Sequence, residues 1–300
     1  MLGQRFTGAF EVHLLDNAST DGSLRMVRER FPEINVIEAG RNLGFAGGNN
    51  LGIRQAGSTD IVLLNNDTRV EPGWLQALVD TAAARPEAGA VTSKLLFREP
   101  PGVIQNAGAL LLSDGGGGDR GTGEPDRGQY DQREEVFGFC GAAALLRRRM
   151  LEDVGLFDES YFMYYEDLDL SWRMRLRGWS VLYEPAARVI HDHAASSVEW
   201  SPSFTFHADR NRLFTILKNA PAGQLLRSFR ALLRRAATPG TARPGRRGRP
   251  DVRLKVLGSF LIHLPEMLAK RARIRARRRV ADAELTRWLY PRELWDARSE

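Results

Sequence analysis

Phe10-Glu11-Val12-His13-Leu14-Leu15 alternates polar and apolar residues and then turns apolar, as a strand does. It breaks at Asp16-Asn17-Ala18-Ser19-Thr20-Asp21-Gly22-Ser23, a polar run rich in turn formers. Ser23 to Arg30 then has the pattern of a helix that must stop before Pro32, and Ile34 to Glu38 is a second short strand. Strand, loop, helix, strand is the rhythm of an α/β sheet, and few other architectures accept it. In such sheets ligands sit beyond the carboxyl ends of strands, which is where Asp16 falls. Asp60-Ile61-Val62-Leu63-Leu64 repeats the arrangement: a buried strand ending at Asn65-Asn66-Asp67-Thr68. A carboxylate there, among amides, suits a hard divalent cation that also holds phosphate oxygens; the same residues also suit an Asx-capped turn.

Between these strands lies Arg41-Asn42-Leu43-Gly44-Phe45-Ala46-Gly47-Gly48-Asn49-Asn50-Leu51-Gly52. Its glycines permit close approach of backbone to a ligand, or a tight loop ahead of a helix, but their spacing matches neither a P-loop nor a dinucleotide fingerprint. Pro72 is placed to open a helix whose core face is Trp74, Leu75, Leu78, Val79 and Ala82. Val91 to Phe97 reads as a further strand. Ser113 to Gln129 is glycine-rich and nearly free of large apolar groups, and reads as a mobile surface loop or lid. Phe137 to Leu146 returns to the core. Cys140 within it reads as a small buried residue rather than a nucleophile, since no histidine partner is evident.

The densest chemistry is Tyr161-Phe162-Met163-Tyr164-Tyr165-Glu166-Asp167-Leu168-Asp169-Leu170-Ser171-Trp172-Arg173. Leu168, Trp172 and Leu176 share a helix face, and Gly178 after three arginines marks the stop. Glu166 and Asp167 then stand at the helix N-terminus, where the macrodipole favours their ionised forms. That position suits a general base; it equally suits an acidic cap on a surface helix. Downstream, Trp179, Val181 and Tyr183 alternate as a strand. Val189-Ile190-His191 follows, and His191 at a strand end can complete a metal site with Asp67 or serve as a hydrogen-bonded surface group.

Charge divides the chain. The formal net charge is +6, yet Arg227 to Glu300 holds 20 Lys/Arg against 7 Asp/Glu, leaving 23 basic and 30 acidic residues before it. Basic tails seek polyanions, either nucleic acid or an anionic membrane face. Thr238 to Pro250 is a Pro/Gly/Arg linker, and Leu254, Leu257, Leu261, Leu264 and Leu268 follow at helical spacing, with a kink expected at Pro265. Arg271 to Arg279 is densely cationic. These features fit a helix lying in a membrane interface, or one packed on the body with a solvated basic end. No DNA- or RNA-binding motif accompanies the charge, so no nucleic acid is expected. A single cysteine excludes an internal disulfide framework and fits a reducing compartment. No signal-peptide pattern opens the chain, and no apolar run reaches the ~18 residues of a membrane span.

In order along the chain, the Asp16–Ser23, Asn42–Asn50 and Leu64–Thr68 segments, Gly155-Leu156-Phe157-Asp158-Glu159 running into Tyr164–Leu170, and Val189-Ile190-His191 closely resemble family 2 glycosyltransferases, nearest the rhamnosyltransferase-like branch that extends lipid-linked surface saccharides. The match covers about residues 10 to 220. The resemblance implies a GT-A fold, a mostly parallel sheet flanked by helices over residues 1–200, with residues 201–300 as a basic helical extension. It implies inverting transfer from a nucleotide-diphospho-sugar, dTDP-rhamnose-like or UDP-linked, to a lipid-linked or cell-surface glycan. The enzyme would act in the cytoplasm, peripherally at the inner face of the cell membrane. By resemblance Asp167 is the base with Glu166 the competing candidate, and Asp67 and His191 hold Mg²⁺ or Mn²⁺. Asp16, Asn17, Ser19, Asn42, Gly44, Asn66 and Asp67 line the donor site, while Asp169 and Arg173 order the helix. Asn65 stands where the family's first metal-site acid would be.

The resemblance also implies a strand and helix ahead of the Asp16 strand, which Met1 to Ala9 is too short to supply. That predicts a start lying upstream or a chain that is unstable or inactive, and it keeps open a non-catalytic remnant binding nucleotide or a partner. A sugar nucleotidyltransferase is the third reading; the Gly-rich N-terminus it would need is absent.

Overall fold

The computed structural model describes residues 1–192, 201–237 and 250–298. β1 (His13–Asp16), α1 (Ser23–Arg30) and β2 (Asn35–Glu38) form the expected βαβ unit, with β1 and β2 parallel and Asp16 opposite Glu38. α2 (Gly44–Gln55) follows. The glycine-rich segment is therefore mostly helix rather than a phosphate-cradling loop. Only Gly44 uses a left-handed φ, +69°; Gly48 instead lets α2 lie close to Leu15 and Asn17.

The main sheet has seven strands. Its path runs β3 (Asp60–Leu64), β10 (Ala143–Arg147), β5 (Ala88–Phe97), β11 (Ser180–His191) and β4 (Thr68–Val70); β6 (Ile104–Asn106) pairs with β5, and β9 (Glu134–Val136) with β11. β5 and β11 are the long parallel pair. β10 runs antiparallel to both its neighbours, and β4 and β9 antiparallel to β11. The sheet is thus mixed rather than mostly parallel, because β10 returns through its middle. β1 and β2 form a separate two-stranded sheet. Trp179–Tyr183 and Val189–His191, read as two runs, are one strand, β11, whose register with β5 shifts between Glu184 and Arg188.

α3 (Trp74–Ala84) buries Trp74, Leu75, Leu78 and Ala82 against one sheet face, with the Trp74 indole N–H donating to Ser93 Oγ at 2.9 Å. Burial of each such side chain is worth about 1.5–3 kcal/mol. α4 (Arg148–Val154) and α5 (Glu166–Leu176) cover the other face with Met150, Leu151, Leu170 and Met174. α5 is no surface helix: Leu168, Trp172 and Leu176 also pack against Phe137 and Ile216.

The segment read as a mobile lid is folded. β7 (Ala109–Leu112) and β8 (Gly117–Asp119) form a hairpin, and β12 (Leu289–Tyr290) joins β7 as a third strand. Beyond the hairpin, the fully buried Lys94 ammonium holds Asp126 and Asp131, each at 2.7 Å. Polar satisfaction replaces the apolar packing that the segment lacks.

The C-terminal part consists of α6 (Pro202–Asn219), α7 (Ala222–Ala237), α8 (Pro250–Arg277), α9 (Asp282–Leu285) and α10 (Arg292–Arg298). Ser201 N-caps α6 by accepting from Phe204 N. α8 runs through Pro265 and turns Phe260 and Met267 toward Phe214 and Leu217 of α6, with Val252 and Val256 also buried. The leucine row Leu254, Leu257, Leu261 and Leu268 faces outward, with Leu264 partly buried. Two cations of the basic run act inside the fold: Arg271 donates to Leu217 O and Ala220 O, and Arg275 to Asn219 O and Ala220 O, capping the end of α6. The domain boundary expected near residue 200 and the linker from 238 to 249 lie outside the described residues. Among those described, no helix is long and apolar enough to cross a membrane.

Candidate active site

β3 delivers Asp67 to the end of the sheet, and β11 delivers His191 beside it. Thr68 pairs with His191 across the β4/β11 ladder, and Asp192 N donates to Asp67 O at 2.8 Å. His191 Nε2 lies 3.0 Å from Asp67 Oδ1, and Nδ1 lies 2.8 Å from Gln105 Oε1. A carboxylate oxygen and an imidazole nitrogen therefore converge, with an amide oxygen orienting the ring from behind, as the outer partners of metal-bound histidines do. No group of three or more His, Cys, Asp or Glu side chains able to hold a metal is found among the described residues. This donor set fits a hard cation that takes its remaining ligands from phosphate and water. Asn66 is exposed on the same loop.

Two groups of hydrogen bonds lie at the end of β1. Asp16 is buried and accepts from Ser19 N at 3.2 Å. Asn17 Nδ2 donates to Asn42 Oδ1 and to Gly44 O, each at 3.1 Å, and Asn17 Oδ1 accepts from Leu43 N at 2.8 Å. Asn42 Oδ1 also accepts from Gly44 N at 2.8 Å. These asparagines thus shape the entry to α2, and Ser19 is exposed at its rim.

The two halves meet at Gly141. Asn65 N donates to Ala142 O at 2.9 Å, Gly141 packs on Phe45 of α2, and Gly141 N donates to Asp167 Oδ2 at 3.1 Å. Leu168 N reaches Asp167 Oδ1 at 2.7 Å, so both oxygens of Asp167 are aimed. Burial nonetheless raises the Asp167 pKa. It raises that of Glu166 much further, with the Asp167 charge adding to it; Glu166 is 5% exposed and its Oε2 has no hydrogen-bond partner. The ionised pair favoured by the helix terminus is thus not what the fold provides: desolvation outweighs the dipole. Burial thus disfavours the charged form of Glu166 the more strongly, while Asp167 stays partly exposed.

Asp169 differs again. Burial would raise its pKa, but Lys218 and Arg173 more than offset this and hold it low. Its oxygens meet Arg173 Nε at 2.9 Å and Lys218 Nζ at 2.8 Å, and Arg173 also ties down Val154 O and Leu156 O. Asp169 and Arg173 order the helix, as expected. Cys140 is partly buried, and desolvation with the Asp167 charge pushes its thiol pKa up, away from a nucleophile.

The loop before α5 is strained: Phe162, Tyr164 and Tyr165 all have φ between 65° and 72°. Asn211, fully buried in α6, holds it by donating to Tyr161 O, Met163 O and Tyr164 O at 2.8–2.9 Å, and Arg210 donates to Ser160 O and Tyr161 O. Gln105, Gly141, Arg210 and Asn211 were not singled out in the sequence. Of these, Asn211 carried a weak signal, as a poor helix former in the middle of a helical run.

The profile of glycosyl transferase family 2 matches residues 2–155. The chain is 31% identical over 235 residues to the N-acetylglucosaminyl-diphospho-decaprenol L-rhamnosyltransferase of Mycobacterium tuberculosis H37Rv, across 71% of this chain and 76% of that protein. It is 31% identical over 205 residues to the O-antigen biosynthesis protein RfbC of Myxococcus xanthus, covering 65% of this chain but 16% of that one. The fold is similar to that of GalNAc-T7, crystallised with UDP, GalNAc and Mn²⁺, at a TM-score of 0.59 and 13% identity over 85% of this chain and 51% of that one. It is also similar to S. aureus TarS 1–349, at a TM-score of 0.50 and 18% identity, across 92% and 76% of the two chains. The chain belongs to glycosyl transferase family 2 and is a glycosyltransferase of the GT-A fold.

Proposed function

We propose that the protein is an inverting glycosyltransferase that moves a sugar from a nucleotide-diphospho-sugar to a hydroxyl of a lipid-linked surface glycan. The observation that supports this is three hydrogen-bonded groupings: Asn17 with Asn42 and Gly44, Asp167 with Gly141 N, and Asp67 with His191. Asp167 accepts the proton of the acceptor hydroxyl. The hydroxyl oxygen forms the new bond to the anomeric carbon as the bond from that carbon to the phosphate oxygen breaks, releasing a nucleoside diphosphate. Two aimed amide hydrogen bonds keep Asp167 in place, and its raised pKa makes it a stronger base than an ordinary aspartate. Glu166 beside it is buried with Oε2 unpartnered, which leaves the partly exposed and doubly bonded Asp167 the better placed of the two carboxyl groups.

In this reading Asp67 and His191 would hold Mg²⁺ or Mn²⁺, which would supply positive charge against the diphosphate leaving group. A structural neighbour was crystallised with UDP and Mn²⁺, which supports a divalent metal and a nucleotide-sugar donor. The acceptor class rests on the rhamnosyltransferase relative, named for a diphospho-decaprenol acceptor. Such an acceptor resides in a bilayer, so the reading includes peripheral association with an anionic membrane through the basic C-terminal helices.

Thermal melting of the chain with Mn²⁺ and UDP, dTDP or GDP in turn tests the donor site, because a ligand binding only the folded state raises the melting temperature. A metal-dependent rise with one nucleotide is expected. No rise with any of them points instead to a non-catalytic remnant.

A further inference from the structure

We infer that the outward face of α8 is the surface that enters the lipid bilayer, and that it does so through Leu254, Leu257, Leu261, Ile262 and Leu268. This deepens the membrane part of the reading above and rests on it. Ridges at steps of three and four make a helix face, and residues 254, 257, 261, 265 and 268 keep that spacing over four turns. The five named side chains are exposed, Leu254 at 74% and Ile262 at 77%. Pro265, Ala269 and Ala272, between and beyond them, are exposed as well. α8 does not need this row to fold: Phe260 and Met267 on its opposite side fasten it to Phe214 and Leu217 of α6, and Val252 and Val256 are buried there too. A helix apolar on both sides, with one side buried and the other in water, marks a docking surface.

Charge selects the occupant. Arg253, Lys255 and Arg273 are exposed on the same helix, rotated to either side of the leucine row; of the arginines beyond it, Arg278 pairs with Asp282 and Arg279 lies near Asp153. Apolar side chains along the middle with cations on the flanks match acyl chains beneath anionic headgroups. A second copy of the chain would bring these cations against one another.

The surface is tied to the active site. Lys270 of α8 lies 2.6 Å from Asp158 Oδ1 and 2.8 Å from Ser160 Oγ. Asp158 caps the short turn Glu159–Tyr161 that leads into the strained loop and Asp167. Docking of α8 thereby fixes where the base stands relative to the bilayer that carries the acceptor.

The test is cosedimentation of the full chain with vesicles of phosphatidylglycerol and phosphatidylcholine, against phosphatidylcholine alone. The wild-type chain is expected to bind the anionic vesicles. The triple variant Leu254→Ser, Leu257→Ser, Leu261→Ser is expected to lose at least about tenfold in affinity, since each leucine contributes inserted carbons. It should keep its melting temperature and any nucleotide-induced rise, because these side chains face solvent. The triple variant Arg253→Gln, Lys255→Gln, Arg273→Gln should also bind more weakly. Full binding by the leucine variant would overturn the assignment of this face while leaving membrane association standing. Absence of wild-type binding would overturn both and leave the donor-site reading untouched. A wild-type dimer that the leucine variant splits, without vesicle binding, would assign the face to a second copy instead.

Discussion

Asp67 Oδ1 and His191 Nε2 stand 3.0 Å apart although 124 residues separate them in the chain. The β4/β11 ladder makes the pair, and Gln105 holds the far side of the imidazole. If the pair holds a metal, Asp67→Asn and His191→Ala abolish the Mn²⁺-dependent part of the nucleotide-induced rise in melting temperature. Gln105→Ala leaves both ligands in place and should weaken Mn²⁺ by about 10–100-fold, as loss of an outer-shell partner does. Titration of Mn²⁺ against the melting temperature at saturating nucleotide reads all three.

Glu166 and Asp167 adjoin in the chain but are expected to separate in their effects. Glu166→Gln keeps the side chain's size and leaves Asp167 in place, so turnover should change by no more than severalfold. Its stability should differ with a definite sign. The Glu166 pKa is raised on folding, so its contribution is fully present below the unfolded value near 4.5 and is lost as pH rises through the folded value. The melting temperature of Glu166→Gln should therefore gain on wild type as pH increases above about 4.5. A variant that instead loses ground to wild type as pH rises would contradict the raised Glu166 pKa.

Gly44 has a left-handed φ of +69°, and an added Cβ would lie 2.4 Å from Phe162 O. Gly44→Ala should cost about 2 kcal/mol or more in denaturant unfolding, from the left-handed backbone alone plus the displaced loop. Because the displaced carbonyl belongs to the segment leading into Asp167, turnover should fall with it. Gly52→Ala, where nothing lies within 4 Å, is the matched control and should be neutral or slightly stabilising.

Asn211 donates to three carbonyls of the strained loop. Asn211→Ala removes that donor from buried and part-buried carbonyls, with Tyr161 O still held by Arg210, at a cost of about 1–3 kcal/mol. If the asparagine positions the base, kcat should fall in the variant while KM for the donor holds, since the donor network around Asn17 and Asn42 is untouched. A fall in stability with unchanged kcat would limit Asn211 to a structural role.

The elements most legible in the sequence were those with a strong local period: β1, α1, β3, and α5 with its Leu168–Trp172–Leu176 face. The meeting of Asp67 and His191 was also legible, because each falls at the end of an apolar run: Asp67 just past β3 and His191 as the last residue of the long β11. Other features were not, for physical reasons. Ser113–Gln129 looked mobile because it lacks large apolar groups, yet the buried ammonium of Lys94 on a distant strand holds Asp126 and Asp131 beyond the hairpin. The glycines of α2 looked like a loop because helix propensity disfavours them; the close approach of Leu15 and Asn17 overrides it. The leucine row of α8 showed a helix face, but periodicity cannot say whether such a face points inward. The valines and Phe260 on the other side decided that. The charge states of Glu166 and Asp167 depend on burial by α6 and the Cys140–Ala142 loop, which no local pattern records.

The central claim is that Asp167 is the base of a nucleotide-sugar-dependent transfer. Its most direct test is release of nucleoside diphosphate from the donor whose nucleotide raises the melting temperature, with Mn²⁺ and a lipid-linked acceptor, in wild type and Asp167→Asn. Wild type should turn over with an acidic limb displaced above the ordinary aspartate range. Asp167→Asn should lose about 10²–10⁴-fold in kcat while keeping the nucleotide-induced rise in melting temperature. Undiminished turnover in Asp167→Asn, or release of pyrophosphate in place of nucleoside diphosphate, would contradict the account.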